Sequence, residues 1–268
     1  MDNDALQEIE DKIAPDPNMV YDSNGTIVAT FNSVSDVDQF CNTYNHDNKY
    51  NGLKLGNCIK INDGVYNKTW IIVGFDCEAN NIASDGTPNN NGYGICLMPQ
   101  FGFINARFHN VATNCYDAYN SVEAHTSTCP TVANNLRNIL EKHLIERNVL
   151  LSSSRSVEGA TSYSWEKSYC ELPVVGQFTG DFKRNTNQYD DGESNYMFPI
   201  MRFVDGVYTD PSASIWCRNL AKYLNTEAQA YTIDAPSDFS YVLYGSLNYT
   251  YTAAVVSWVY VNPMIYIR

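Results

Sequence analysis

The chain has 268 residues, of which 44% are hydrophobic and 18% charged, enough apolar content to bury a core in one large or two small domains and too much for wholesale disorder. Its formal net charge of −13 excludes the basic footprint of a nucleic-acid binder, disfavours attraction to anionic lipid, and fits solubility at high concentration. No run approaches the roughly 18 apolar residues that a membrane-spanning helix needs, so no membrane insertion is expected.

Two residue types stand out, 31 Asn and 20 Tyr. Asn favours turns through its own backbone hydrogen bonds, and Tyr favours strands and contact surfaces, so together they predict a β-rich, loop-rich protein with a polar, aromatic exterior. The eight cysteines show no CxxC spacing and are expected to be reduced and structural. The acidic start Met1-Asp2-Asn3-Asp4 lacks the pattern of a signal peptide, so the sequons at Asn24, Asn67 and Asn248 are expected to be idle.

Residues 1–17 predict an N-terminal arm. Leu6, Ile9 and Ile13 form a short helical stripe that Pro15 and Pro17 stop, and at this length it needs a surface to dock on, its own domain or a neighbouring subunit. Residues 18–55 predict a hairpin over 20–31, turning at Ser23-Asn24-Gly25, then a short helix capped by Ser33 or Ser35 and running through Val37, Phe40, Cys41 and Tyr44. A third unit, 56–268, opens with a predicted meander: Cys58–Ile61, the near-continuous apolar run Trp70–Phe75, and Tyr93–Met98.

One long amphipathic helix is predicted over about 131–148. Val132, Leu136, Ile139, Leu140 and Leu144 make its stripe, Pro130 suits its first turn, Asn148 its exit, and Glu141, Lys142, Glu146 and Arg147 are expected to face solvent. The Ser- and Gly-rich stretch 152–168 reads as a loop, and Tyr196–Phe203 as an apolar strand. The fold class is therefore α+β, antiparallel strands with one or two helices and long loops.

Catalytic and metal motifs are sparse. Asp190, Asp191 and Glu193 are the best calcium candidates, but an acidic turn is more often simply solvated, so no metal is assigned. The histidines His46, His109, His125 and His143 are scattered, and His143 reads as a surface or boundary residue. No nucleophile elbow or phosphate-binding glycine loop occurs, so no enzyme activity and no cofactor are expected. What remains is a charge-poor, aromatic tract near the C-terminal end. Tyr223, Asn225, Tyr241, Tyr244, Asn248, Tyr249 and Tyr251 combine rigid contact area with adaptable hydrogen bonding, the mixture used by binding loops; the same alternation in Asn248–Thr252 also reads as a half-exposed strand.

Trp216-Cys217-Arg218, the glycine-bearing stretch at Gly245, and the final strand Val259–Ile267 with Pro263 resemble the end of a C-type-lectin-like domain. The version in question occurs in phage tail and fibre proteins, tropism determinants and relatives of formylglycine-generating enzyme. The segments GNCIKINDGVYNKTWIIVGFD and GYGICLMP resemble the opening meander of gut-phage virion proteins of that type. The resemblance spans about residues 56–268. It implies that Trp70, Trp216, Arg218 and Pro263 are framework and that the tract between Trp216 and the last strand is the ligand-binding face. Asn262-Pro263 departs from the Arg-Pro common in the family, and EPN, QPD and WND calcium motifs are absent. The function implied is a non-enzymatic virion structural protein for host attachment, assembled in the bacterial cytoplasm. Its partners would be other virion subunits, further copies of itself, and a host-surface glycan or protein. The alternatives are a capsid- or tail-decorating protein without a receptor role, or a calcium-dependent glycan-processing enzyme.

Overall fold

A computed structural model describes residues 16–77, 93–100, 102–109, 118–156, 159–174, 177–178, 198–203, 214–220, 229–234, 250–254 and 259–268. The fold is α+β. Its first sheet holds β1 (Ile27–Phe31), β2 (Cys58–Asn62), β3 (Asn67–Phe75), β4 (Ile95–Pro99) and β12 (Ile265–Ile267), in that spatial order. A second sheet has the order β10 (Thr250–Ala254), β9 (Gln229–Asp234), β8 (Ser214–Leu220), β11 (Val259–Val261), β5 (Ile104–Ala106). The strands β6 (Arg147–Ser156) and β7 (Gly159–Ser168) form a separate antiparallel hairpin.

The predicted meander forms as read: β2–β3 and β3–β4 pair antiparallel. Trp70, Ile71, Ile72, Val73 and Phe75 are all buried, as a strand covered on both faces requires. The short helix α1 (Val34–Thr43) also matches. Ser33 caps it, accepting from the Asp36 amide while the Asp36 side chain accepts from the Ser33 amide, and Val37, Phe40 and Cys41 face the core.

The predicted 20–31 hairpin does not form. The turn at Ser23–Gly25 exists, because the Asp22 carboxylate accepts from the Asn24 and Thr26 amides and Gly25 takes φ 63°. The chain entering it, however, bridges Leu55 through Tyr21, and the chain leaving it, β1, lies parallel to β2. β1 and α1 thereby share a sheet and a core with the meander.

The long helix is shorter than predicted. Helix α2 spans Cys129–Leu140, entered through a wide i→i+5 turn over Ala124–Thr128 with Pro130 in its first turn. Val132, Leu136, Ile139 and Leu140 are buried as expected, but Glu141 takes φ 43° and a 3-10 turn, Glu141–His143, redirects the chain into β6. Leu144 fits the helical stripe yet is buried as a bridge partner of Ile267. Two expectations of exposure fail with it. Arg147 is buried with its guanidinium 4.2 Å from the Tyr266 ring centre, and His143 is buried between the Asp38 carboxylate (2.8 Å) and the Arg268 carbonyl.

The stretch 152–168 is not a loop but most of the β6–β7 hairpin. Its serines serve the pairing: Ser162 Oγ lies 3.0 Å from Ser153 Oγ and 2.6 Å from Ser154 Oγ across the strands, and Ser152 Oγ accepts from the Tyr119 amide. Within Tyr196–Phe203, residues Pro199–Arg202 form one 3-10 turn instead of a strand, with the proline at its start where a missing N–H costs nothing. Cys41, Cys58, Cys96, Cys129 and Cys170 are free and buried, and Cys77 is half-buried. Burial pushes the Cys41 and Cys58 thiols up to about 12, which fits structural rather than reactive cysteines.

Candidate functional site

The segment from Val261 to Ile267 is buried throughout and joins the two sheets, with β11 in the second and β12 in the first. β12 pairs with β4 on one side, while on the other the Ile145 amide donates to Tyr266 and Leu144 bridges Ile267. Asn262, the departure from Arg-Pro, is 1% exposed, and its Oδ1 accepts from the Phe103 amide at 2.8 Å. The neutral amide satisfies this buried backbone donor without bringing a charge into the core. Pro263 is buried beside it, and Trp70 is fully buried against Phe103 at 5.2 Å between ring centres.

Trp216 and Arg218 lie in β8, and Tyr251 lies in β10. Trp216 and Tyr251 both pair in register with Thr232 of β9, so the three positions form one row across the sheet. The connection from β9 to β10 carries Tyr241, Tyr244, Asn248 and Tyr249. These four, with Tyr223, Asn225 and the calcium candidates Asp190, Asp191 and Glu193, lie outside the described residues, as does the N-terminal arm 1–15. Among the described residues, β9 and β10 are the two outermost strands on their side of the second sheet.

Next to the connector between the sheets, at Met264, lies a buried polar network that no motif announces. Glu171 is 0% exposed; one of its carboxylate oxygens accepts from the Tyr119 hydroxyl at 2.7 Å and the other lies 2.7 Å from His125 Nδ1. His125 Nε2 meets Glu166 at 3.2 Å, and the other Glu166 oxygen accepts from Asn120 Nδ2 and Ser164 Oγ, both at 3.1 Å. Burial alone pushes the His125 pKa down, but the hydrogen bonds and charges of Glu171 and then Glu166 outweigh it, and the net shift is upward. Both His125 nitrogens face carboxylate oxygens, so these contacts favour the protonated imidazole. The Glu171 backbone exchanges hydrogen bonds with Met264, in the connector between the sheets, so the network fixes the base of the C-terminal framework.

A second cluster missed from sequence sits at the end of β3. Asp76 takes φ 52°, its Oδ2 lies 2.6 Å from His46 Nδ1, and its Oδ1 accepts from the Gly94 amide at 2.9 Å and from the Tyr50 hydroxyl. Lys49, Tyr50 and Asn51 form a left-handed turn, with φ of 50°, 60° and 44°, that drives Tyr50 into the core. Its neighbours in sequence are ordinary polar residues; only the conformation marks it.

Among the described residues no group of three or more His, Cys, Asp or Glu side chains could hold a metal ion, and no helix is long and apolar enough to cross a membrane. No protein-family model, curated protein or solved structure matches the chain.

Proposed function

We propose that the protein is a non-enzymatic bacteriophage virion component with a C-type-lectin-like domain, which attaches the particle to the host surface through its Tyr- and Asn-rich face. The observation that carries this reading is the contrast in the C-terminal segment. Its end, Val261–Ile267, is buried and runs from the second sheet into the first, while the aromatic tract connects β9 and β10, the two outermost strands on one side of the second sheet among the described residues. A ligand face needs a rigid support and an open side, and an edge hairpin on a clamped sheet supplies both. Low affinity per copy suffices, since many copies on one particle convert weak contacts into avidity. The chain's net charge of −13 suits dense, repeated display without self-association beyond the built interfaces.

The test replaces Tyr244, Tyr249 and Tyr251 with alanine in particles carrying the protein. Adsorption to the host is expected to be lost while the purified domain melts as before. Unchanged adsorption overturns the reading and favours a decorating protein with no receptor role.

A further inference from the structure

We infer that Cys129 and Cys170 form a redox lock, two thiols in a reducing medium and one buried disulfide in an oxidising one. Cys129 opens α2, and Cys170 follows the end of β7. Residues 170–172 run against the helix entrance. The Cys170 and Cys129 thiols hydrogen-bond to one another, the Glu171 carboxylate meets His125 Nδ1 at 2.7 Å, and the Leu172 amide donates to the Cys129 sulfur. The segment is pinned from behind as well: the Cys170 amide donates to Ser168 Oγ, and the Glu171 backbone exchanges hydrogen bonds with Met264. Contacts on both sides of Cys170 therefore bring the two sulfurs together. Both cysteines are buried, at 0% and 1% exposed. Cys58, by contrast, donates its thiol to the Gly56 carbonyl at 3.7 Å.

Closure needs an electron acceptor, and a small-molecule disulfide such as oxidised glutathione supplies it. One cysteine thiolate attacks a glutathione sulfur and releases a glutathione thiolate. The second cysteine thiolate then attacks the protein sulfur of that mixed disulfide and releases the other. Two protein thiols thus lose two electrons, one glutathione disulfide gains them, and the two cysteine protons end on the released glutathione. The neighbouring Cys170 thiol and burial push the Cys129 pKa well up, so the attacking thiolate is scarce and closure is slow in the folded protein. Opening of the helix entrance sets the rate, and the same burial shields the closed bond from reductant. The closed loop, about forty residues long, contains α2 and the β6–β7 hairpin, so the bond restricts the unfolded chain and favours the folded one. The lock requires nothing of the β9–β10 tract and stands or falls separately.

The test holds the purified protein in mixtures of oxidised and reduced glutathione just below its melting midpoint, and in parallel refolds it from denaturant in the same mixtures, where burial is no barrier. Remaining thiols are trapped by alkylation, and linked peptides are identified by mass spectrometry. One dominant intramolecular linkage, Cys129 to Cys170, is expected, and it should raise the midpoint by about 4–16 °C over the reduced protein. Cys170→Ala should abolish that rise, while Cys58→Ala, at a buried cysteine elsewhere in the core, should leave the linkage and the rise in place. No Cys129–Cys170 linkage in either arm, a different dominant pair, a linkage that leaves the midpoint unmoved, or a rise that persists in Cys170→Ala overturns the inference.

Discussion

Replacing His125 with alanine isolates the energetic role of the buried network. In the native protein Glu171 is fully buried, with His125 and the Tyr119 hydroxyl among its partners. The substitution takes the imidazole away from a carboxylate in the core, and breaking a buried ion pair from one side costs about 3–5 kcal/mol. A chain of this size loses roughly 2–4 °C of melting temperature per kcal/mol, so the midpoint should fall by about 6–20 °C. Glu166 sits on the other side of the same imidazole but is 32% exposed, and Glu166→Gln should cost less than about 1 kcal/mol. Adding Glu171→Gln to His125→Ala removes the stranded charge and should recover much of the loss, a coupling that a double-mutant cycle measures directly. Thermal unfolding by circular dichroism provides the assay. If His125→Ala melts within about 4 °C of the parent, or the double variant melts no higher than the single, Glu171 is not held as a buried ion by His125.

The same network sets a pH dependence. Because the His125 pKa is raised in the folded state, its contribution is fully present below the unfolded histidine value of about 6.5 and is lost as pH rises through the folded value. The melting temperature should therefore decline as pH rises above about 6.5, and His125→Gln should flatten that decline; a variant with the parent's slope contradicts the assignment. Asn262→Ala should destabilise by about 1–3 kcal/mol through the orphaned Phe103 amide, whereas Asn262→Asp, an acceptor that must bring a charge into the core, should be worse at neutral pH than at acid pH. Chemical denaturation at two pH values distinguishes them.

The parts of the fold legible in the sequence are those whose signals are local. Ser33 and Asp36 lie three residues apart and cap each other, and Val37, Phe40 and Cys41 follow on one face, so α1 could be read directly. The β2–β4 meander was equally plain, since turn residues separate its apolar runs. The end of α2 was not legible, because Leu144 fits a helical stripe and a strand bridge equally well, and its partner Ile267 comes from the far end of the fold. The β6–β7 hairpin was hidden for a different reason: serine reads as loop until another serine stands opposite it. The C-terminal framework was anticipated as an anchored segment, and Asn262, which looked like its weak point, is one of its satisfied core residues. His125, Glu166 and Glu171 carried no motif, since what joins them is tertiary packing of a helix entrance against a hairpin.

β12 completes the first sheet from far along the chain, beside a strand that ends at Pro99. Until Ile265–Ile267 reaches its slot beside Ile95–Leu97, β4 presents an open edge composed of residues that end up wholly buried. A nascent chain that has emerged past β4 but not as far as β12 therefore carries a sticky, half-built sheet. Closure depends on contacts distant in sequence, which makes folding slow and gives neighbouring nascent chains time to pair wrongly. Production yield, more than the stability of the finished protein, should thus respond to synthesis rate and to chaperones that shield β4.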